Sequence, residues 1–87
     1  MHYVYILKST KTQKLYLGYT TDLRKRLAEH NARQSKATKV YAPFELVYYE
    51  AYRSKKDALL RERQLKRYKQ GYMRLKERIL NSLVEQS

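Results

Sequence analysis

Eighty-seven residues with 20 Lys and Arg, 8 Asp and Glu and no cysteine make a small, strongly basic chain of net charge +12. That length suits a single domain spanning 1–87 with a modest core. The missing thiols exclude a disulfide framework and a thiolate zinc site, and they suit a reducing cytoplasm. The N-terminus shows no signal-peptide pattern and no apolar run nears the roughly 18 residues of a membrane helix, so a cytoplasmic protein is expected. The basic excess is spread out: residues 1–52 hold 9 basic and 4 acidic residues, and residues 53–87 hold 11 and 4. A polyanionic partner follows, with nucleic acid favoured over an anionic membrane. The 10 tyrosines offer flat faces for bases, although in a small domain most such rings simply pack.

Two apolar runs, Tyr3 to Leu7 and Leu15 to Tyr19, flank the polar stretch Lys8 to Lys14 and predict a β-hairpin. Alternation puts Tyr3, Tyr5 and Leu7 on one face of the first strand, and Tyr16 and Gly18 together on one face of the second. The pattern can therefore set the phenols of Tyr5 and Tyr16 side by side, next to a glycine that leaves room for a backbone or a ligand. Taken alone, the same triplets also read as a plain tyrosine-rich strand pair. A helix is predicted over Asp22 to Asn31, capped by Thr20 or Thr21, with Leu23 and Leu27 facing the core. Arg26 and His30, four apart, share one edge of that helix at the rim of the sheet.

Asn31 to Pro43 lacks apolar periodicity and reads as a surface loop, in which Lys36 and Lys39 can meet phosphates. A third strand is predicted from Phe44 to Tyr52; Glu50 within it receives no chemical role. Ser54-Lys55-Lys56-Asp57 has the capping-box pattern and opens a helix that continues to about Lys69. Ala58 and Leu65 define its buried face, and Glu62 falls between them. A carboxylate there is costly unless it is paired, for example with a nearby Arg, or holds a metal. Gly71 is expected to break the helical run, and a further helix follows from Tyr72 to about Val84. The expected fold is therefore α/β: a small central three-stranded sheet flanked by about three helices.

In order along the chain stand Tyr3-Val4-Tyr5, Tyr16-Leu17-Gly18, Arg26, His30 and Glu62. This set resembles the GIY-YIG nuclease domain, in particular its small stand-alone bacterial members. His30-Asn31, Ser35-Lys36, Pro43, Leu46-Val47-Tyr48 and Leu65-Lys66 strengthen the likeness, which covers Tyr3 to about Leu83. Tyr3 and Val4 depart from the first motif by replacing its glycine and isoleucine; the tyrosine is retained. The same domain occurs in homing and restriction endonucleases and in the incision subunit of bacterial nucleotide-excision repair. The resemblance thus implies an endonuclease acting on nucleic acid, DNA rather than RNA, with DNA repair as one setting. It implies Tyr5, Tyr16, Arg26 and His30 as catalytic residues, Gly18 at the substrate, and Glu62 as ligand of Mg²⁺ or Mn²⁺. Asn81 and His2 receive no role.

Such a site would use Arg26 as a planar fork for a phosphate gaining charge. Tyr5 would be the general base, with Tyr16 sharing its proton or ordering the water. A free phenol is only about one part in a thousand ionised at pH 7. Arg26 and a divalent ion are expected to lower the Tyr5 pKa by ~1–3 units. His30 would donate to phosphate or orient a neighbour. The alternative is a basic nucleic-acid-binding module without catalysis, whose strand tyrosines stack on bases. It requires neither the Arg26–His30 spacing nor a carboxylate at Glu62.

Overall fold

The alternating N-terminal runs pair as expected. In a computed structural model, which describes residues 1–84, β1 (His2–Ser9) is the central strand of a sheet ordered β2-β1-β3, between β2 (Leu15–Thr20) and β3 (Phe44–Tyr52). Both pairings are antiparallel, and an irregularity between Ile6 and Leu7 shifts the register against β3. The period of two then divides the core. Val4 and Ile6 of β1 and Leu17 of β2 pack with Ala58, Leu65 and Leu75 of the later helices. Tyr5 and Leu7 pack on the other face with Ala42, Phe44 and, from the first helix, Leu23 and Leu27.

That first helix, α1 (Leu23–Asn31), is capped by Asp22, which accepts the Lys25 N–H at 3.0 Å. Thr20, one of the two expected caps, instead accepts the Asp22 N–H at 3.1 Å and so braces the true cap. Asn31 closes the other end of α1 onto β3: its Oδ1 accepts the Phe44 N–H at 2.6 Å and its Nδ2 donates to the Phe44 carbonyl at 3.2 Å. The segment read as a surface loop is anchored as well. It contains a 3₁₀ turn, Lys39–Tyr41, and Ser9 Oγ donates to the Tyr41 carbonyl at 2.5 Å while accepting from Lys11 and Thr12.

The helix α2 (Lys55–Arg67) buries Ala58 and Leu65, as its spacing predicts, but Ser54 makes no side-chain cap bond. The expected break at Gly71 is misplaced. The chain leaves the helix at Tyr68, which is extended at φ −106° and ψ 101°, and Gly71 lies inside α3 (Lys69–Arg78). Length explains the break better than local sequence does. A single helix over Lys55–Arg78 would run about 36 Å at 1.5 Å per residue, more than the 30 Å longest dimension of the domain. The chain folds back so that Tyr72, Leu75 and Ile79 rejoin the core of Leu65. A short α4 (Leu80–Val84) follows, so the helix expected over 72–84 is two pieces and the sheet carries four helices. Among the described residues no helix is long and apolar enough to cross a membrane.

Candidate active site

The centre of the site follows from a strand pairing. Tyr5 stands opposite Gly18 of the edge strand β2. A Cβ added to Gly18 would lie 2.4 Å from the Tyr5 Oη and 2.5 Å from its Cζ. The phenol therefore lies over the glycine and carries its hydroxyl from the central strand across the edge strand. The space above Gly18, read from the sequence as room for a backbone or a ligand, is filled by Tyr5 itself, so Gly18 seats the phenol.

Helix α1 delivers two side chains to that hydroxyl. Arg26 Nε donates to Tyr5 Oη at 3.4 Å, and His30 Nε2 lies 3.1 Å from it. The spacing of four put both residues on one edge of the helix, but they differ in exposure. Arg26 is half-buried and pairs loosely with Glu29 at 3.3 Å. His30 is 0 % exposed, not at the rim, and its Nδ1 meets Thr38 Oγ1 at 2.8 Å. Tyr16 closes the cluster by ring contacts, 5.1 Å from His30 and 6.5 Å from Tyr5 between centroids. Four of the residues singled out in the sequence thus meet, and Tyr5 bonds His30 and Arg26 rather than Tyr16.

Burial sets the protonation of this cluster. It pushes the Tyr5 phenol above its ordinary value, and the nearby Arg26 charge only moderates the rise, to which Tyr16 and Glu62 add. Arg26 by itself does not produce the lowering expected from Arg26 and a divalent ion together, because desolvation of the phenolate outweighs one half-exposed cation. Burial first and the Arg26 charge second hold the His30 imidazole below its ordinary value, against a weaker pull from Glu29. At neutral pH the pair is a phenol and a neutral imidazole. Tyr5 Oη accepts from Arg26, and the two hydroxyls that meet the His30 ring, those of Tyr5 and Thr38, can each donate or accept, so both neutral tautomers are satisfied.

Residues 1–76 match the GIY-YIG catalytic domain. The chain belongs to the GIY-YIG family. It is 47% identical over 68 residues to a UPF0213 protein of Staphylococcus haemolyticus, covering 77% of this chain and 82% of the relative. A UPF0213 protein of Haloquadratum walsbyi is 43% identical over 68 residues, with 77% and 75% covered. One of Staphylococcus aureus is 46% identical over 80 residues, with 88% and 96% covered. No solved structure matches. GIY-YIG domains are generally endonucleases, so the match places the chain in a nuclease family whose substrate is nucleic acid.

Glu62 of this GIY-YIG domain stands apart from the cluster, on α2, in a hollow lined by Leu59, Arg63, Lys66 and Arg67. Its helix packs on the face opposite Tyr5, and its charge is the weakest of the influences that raise the phenol's pKa. Glu62 pairs with Lys66 at 3.2 Å, one turn on, rather than with the Arg that stacking on an apolar face suggested. The partner is weakly held, since the Lys66 side chain is 52 % exposed and that of Glu62 19 %. Among the described residues no group of three or more His, Cys, Asp or Glu could hold a metal. A lone carboxylate still fits Mg²⁺, which binds through one or two carboxylates together with substrate phosphate and keeps several waters. Lys36 and Lys39 are exposed on the anchored loop, on either side of Thr38.

Thr38 is the functional neighbour that sequence reasoning missed. It lies in a polar stretch whose lysines drew the attention, yet it is 2 % exposed and holds the buried face of His30. Burial of one threonine in a loop leaves no periodic trace. Asn31 did leave one, as the second half of the His30-Asn31 pair in the family likeness.

Proposed function

We propose that this domain is a metal-dependent endonuclease that hydrolyses phosphodiester bonds in DNA. The observation that carries the reading is the position of the Tyr5 hydroxyl, held between Arg26 at 3.4 Å and His30 at 3.1 Å over a glycine. Arg26 is half-exposed and can swing its fork onto a phosphate, where a planar pair of donors suits an oxygen gaining charge. Tyr5 takes the proton of the attacking water. A standing tyrosinate is disfavoured in its buried setting, so its own proton passes to His30 Nε2 in the same step. His30 is then the proton store: it starts neutral and ends as imidazolium, with its two ring nitrogens engaged by Tyr5 and Thr38. The proton transfer uses the tautomer in which Thr38 accepts from Nδ1 and Nε2 is free to accept. Tyr16 packs both rings and, being half-exposed, borders the water. Glu62 would hold the divalent cation together with a substrate oxygen. When bound, such an ion supplies charge to the phosphoryl and leaving oxygens as a Lewis acid.

The deciding assay incubates the protein with supercoiled, branched and single-stranded DNA, and with RNA, in Mg²⁺ and in chelator. Cleavage in Mg²⁺ alone is expected, and it should vanish in Tyr5→Phe and Arg26→Ala. Glu62→Gln should abolish cleavage at the same Mg²⁺ concentration while folding changes little. The Lys66 partner is exposed, so loss of that pair costs only about 0–1 kcal/mol. A well-folded Glu62→Gln that cleaves at the wild-type rate removes Glu62 from the metal site. Tight binding by the wild type without cleavage of any substrate would return the reading to a binding module.

A further inference from the structure

Beside the cluster lies a cleft that the proposed hydrolysis leaves unexplained. It holds about 220 Å³ and is lined by Lys14 and Tyr16, by Ala37, Thr38 and Tyr41 of the anchored loop, and by Phe44. Two of these residues belong to the candidate site already: Tyr16 packs on His30 and Tyr5, and Thr38 bonds His30. The far wall is held in place, since Ser9 Oγ bonds the Tyr41 carbonyl at 2.5 Å and the Thr10 N–H bonds the Pro43 carbonyl at 3.0 Å. Lys14 is exposed, with its Nζ 4.7 Å from the Tyr41 ring centroid and 3.4 Å from its hydroxyl.

The geometry points to a subsite for one unpaired nucleobase next to the scissile phosphate, and so to a substrate strand that is unstacked at the cut. The volume falls below the roughly 300–1,000 Å³ of clefts for drug-sized ligands, which suits one planar ring system. Tyr16, Tyr41 and Phe44 offer aromatic surface, on which any base can stack. Lys14 brings a cation to the phosphate that such a base carries with it. A base in regular duplex cannot enter without leaving its stack, which favours single-stranded, branched or gapped substrates. The inference rests on the nuclease reading for its scissile phosphate, but it is tested by binding.

The experiment steps 2-aminopurine through a single-stranded DNA oligonucleotide and follows its emission, with end-label anisotropy reporting binding. In the wild type the emission changes at one position of the bound strand. Tyr41→Ala weakens binding of that strand by about 5- to 140-fold, the range of one base–aromatic stack, and Tyr41→Phe restores it. Because Tyr41 also packs on the core, Ala37→Phe provides a second variant that fills the cleft from an exposed loop position. It should abolish the emission change while leaving the affinity for blunt duplex unaltered. A bound strand whose emission is the same at every position overturns the subsite, as does an Ala37→Phe protein that keeps the change. Cleavage assays on the same oligonucleotides separate the two readings. An emission change without cleavage keeps the subsite and removes the nuclease, and cleavage without an emission change does the reverse. Failure to bind at all removes both.

Discussion

His30 has both ring nitrogens engaged, Nε2 with Tyr5 and Nδ1 with Thr38, and a pKa held below its ordinary value. If it stores the proton, kcat/KM follows its neutral fraction. The rate should therefore rise with pH through an apparent pKa below about 6.5 and stay flat across the neutral range. A profile that instead keeps climbing toward pH 10 would mean that a free tyrosinate is the base. Thr38→Val removes the bond at Nδ1 and frees the other tautomer, so kcat should fall with KM little changed and the acid limb of the profile should move. Gly18→Ala tests the seat of the phenol. Its Cβ would stand 2.4 Å from Tyr5 Oη, so either the ring or the strand must move. Activity should fall sharply for a stability loss of about 1–3 kcal/mol, read by thermal melting. At this scale the sequence showed which residues meet, since strand alternation placed Tyr5 with Tyr16 and helical spacing placed Arg26 with His30. It did not show the direction of the Tyr5 shift, because desolvation depends on how deep the phenol sits, and no residue pattern carries depth.

Glu50, which the sequence left without a role, fastens α2 to the sheet. Arg61 bonds it through Nε at 2.9 Å and Nη2 at 3.0 Å, and the Tyr48 and Tyr52 hydroxyls donate at 2.6 and 2.5 Å. Burial raises the Glu50 pKa, but Arg61 and the two phenols outweigh it and hold the carboxyl below its ordinary value. The same arrangement pushes Tyr48 and Tyr52 up to about 12, by burial first and the bond to Glu50 second. The signs follow. A lowered carboxyl pKa stabilises the fold above the unfolded value and is lost as pH falls through the folded one. A raised phenol pKa stabilises the fold below the unfolded value and is lost as pH rises toward 12. Glu50→Gln should therefore cost about 1–3 kcal/mol at neutral pH, seen as a lower Tm, and the gap to wild type should close in acid. A gap that stays constant to pH 3 would show that the carboxylate charge contributes nothing. Elements were legible where their pattern was local: all three strands and the first two helices fall within a few residues of expectation. The α2–α3 break was not, because the extended turn at Tyr68 lets Tyr72, Leu75 and Ile79 return to the core of Leu65, a tertiary contact that Gly71 does not signal.

Charge acts at the scale of the whole molecule. With 20 basic residues against 8 acidic ones, and three of the acids already paired within the fold, cations outnumber anions over the surface. Four of them stand on the elements that build the site: Arg26 itself, Lys14 lining the cleft, and Lys36 and Lys39 on the loop whose Ala37, Thr38 and Tyr41 line it. If these four neutralise about four phosphates, log K against log salt should slope about −3.6 on duplex and about −2.8 on single strand. A rise from 50 to 200 mM salt then weakens duplex binding about 150-fold and single-strand binding about 50-fold. The shallower single-strand slope alone makes the preference for an unpaired strand grow about threefold over that range, and stacking in the cleft, which salt barely touches, raises that preference by one constant factor at every salt concentration. Titrations of one sequence as duplex and as single strand, across that range, measure both quantities. A slope near zero on both would remove the phosphate contacts and with them the reason for so basic a domain. A single-strand affinity that Ala37→Phe leaves unchanged at 200 mM salt would show that the unpaired strand is held by its backbone alone.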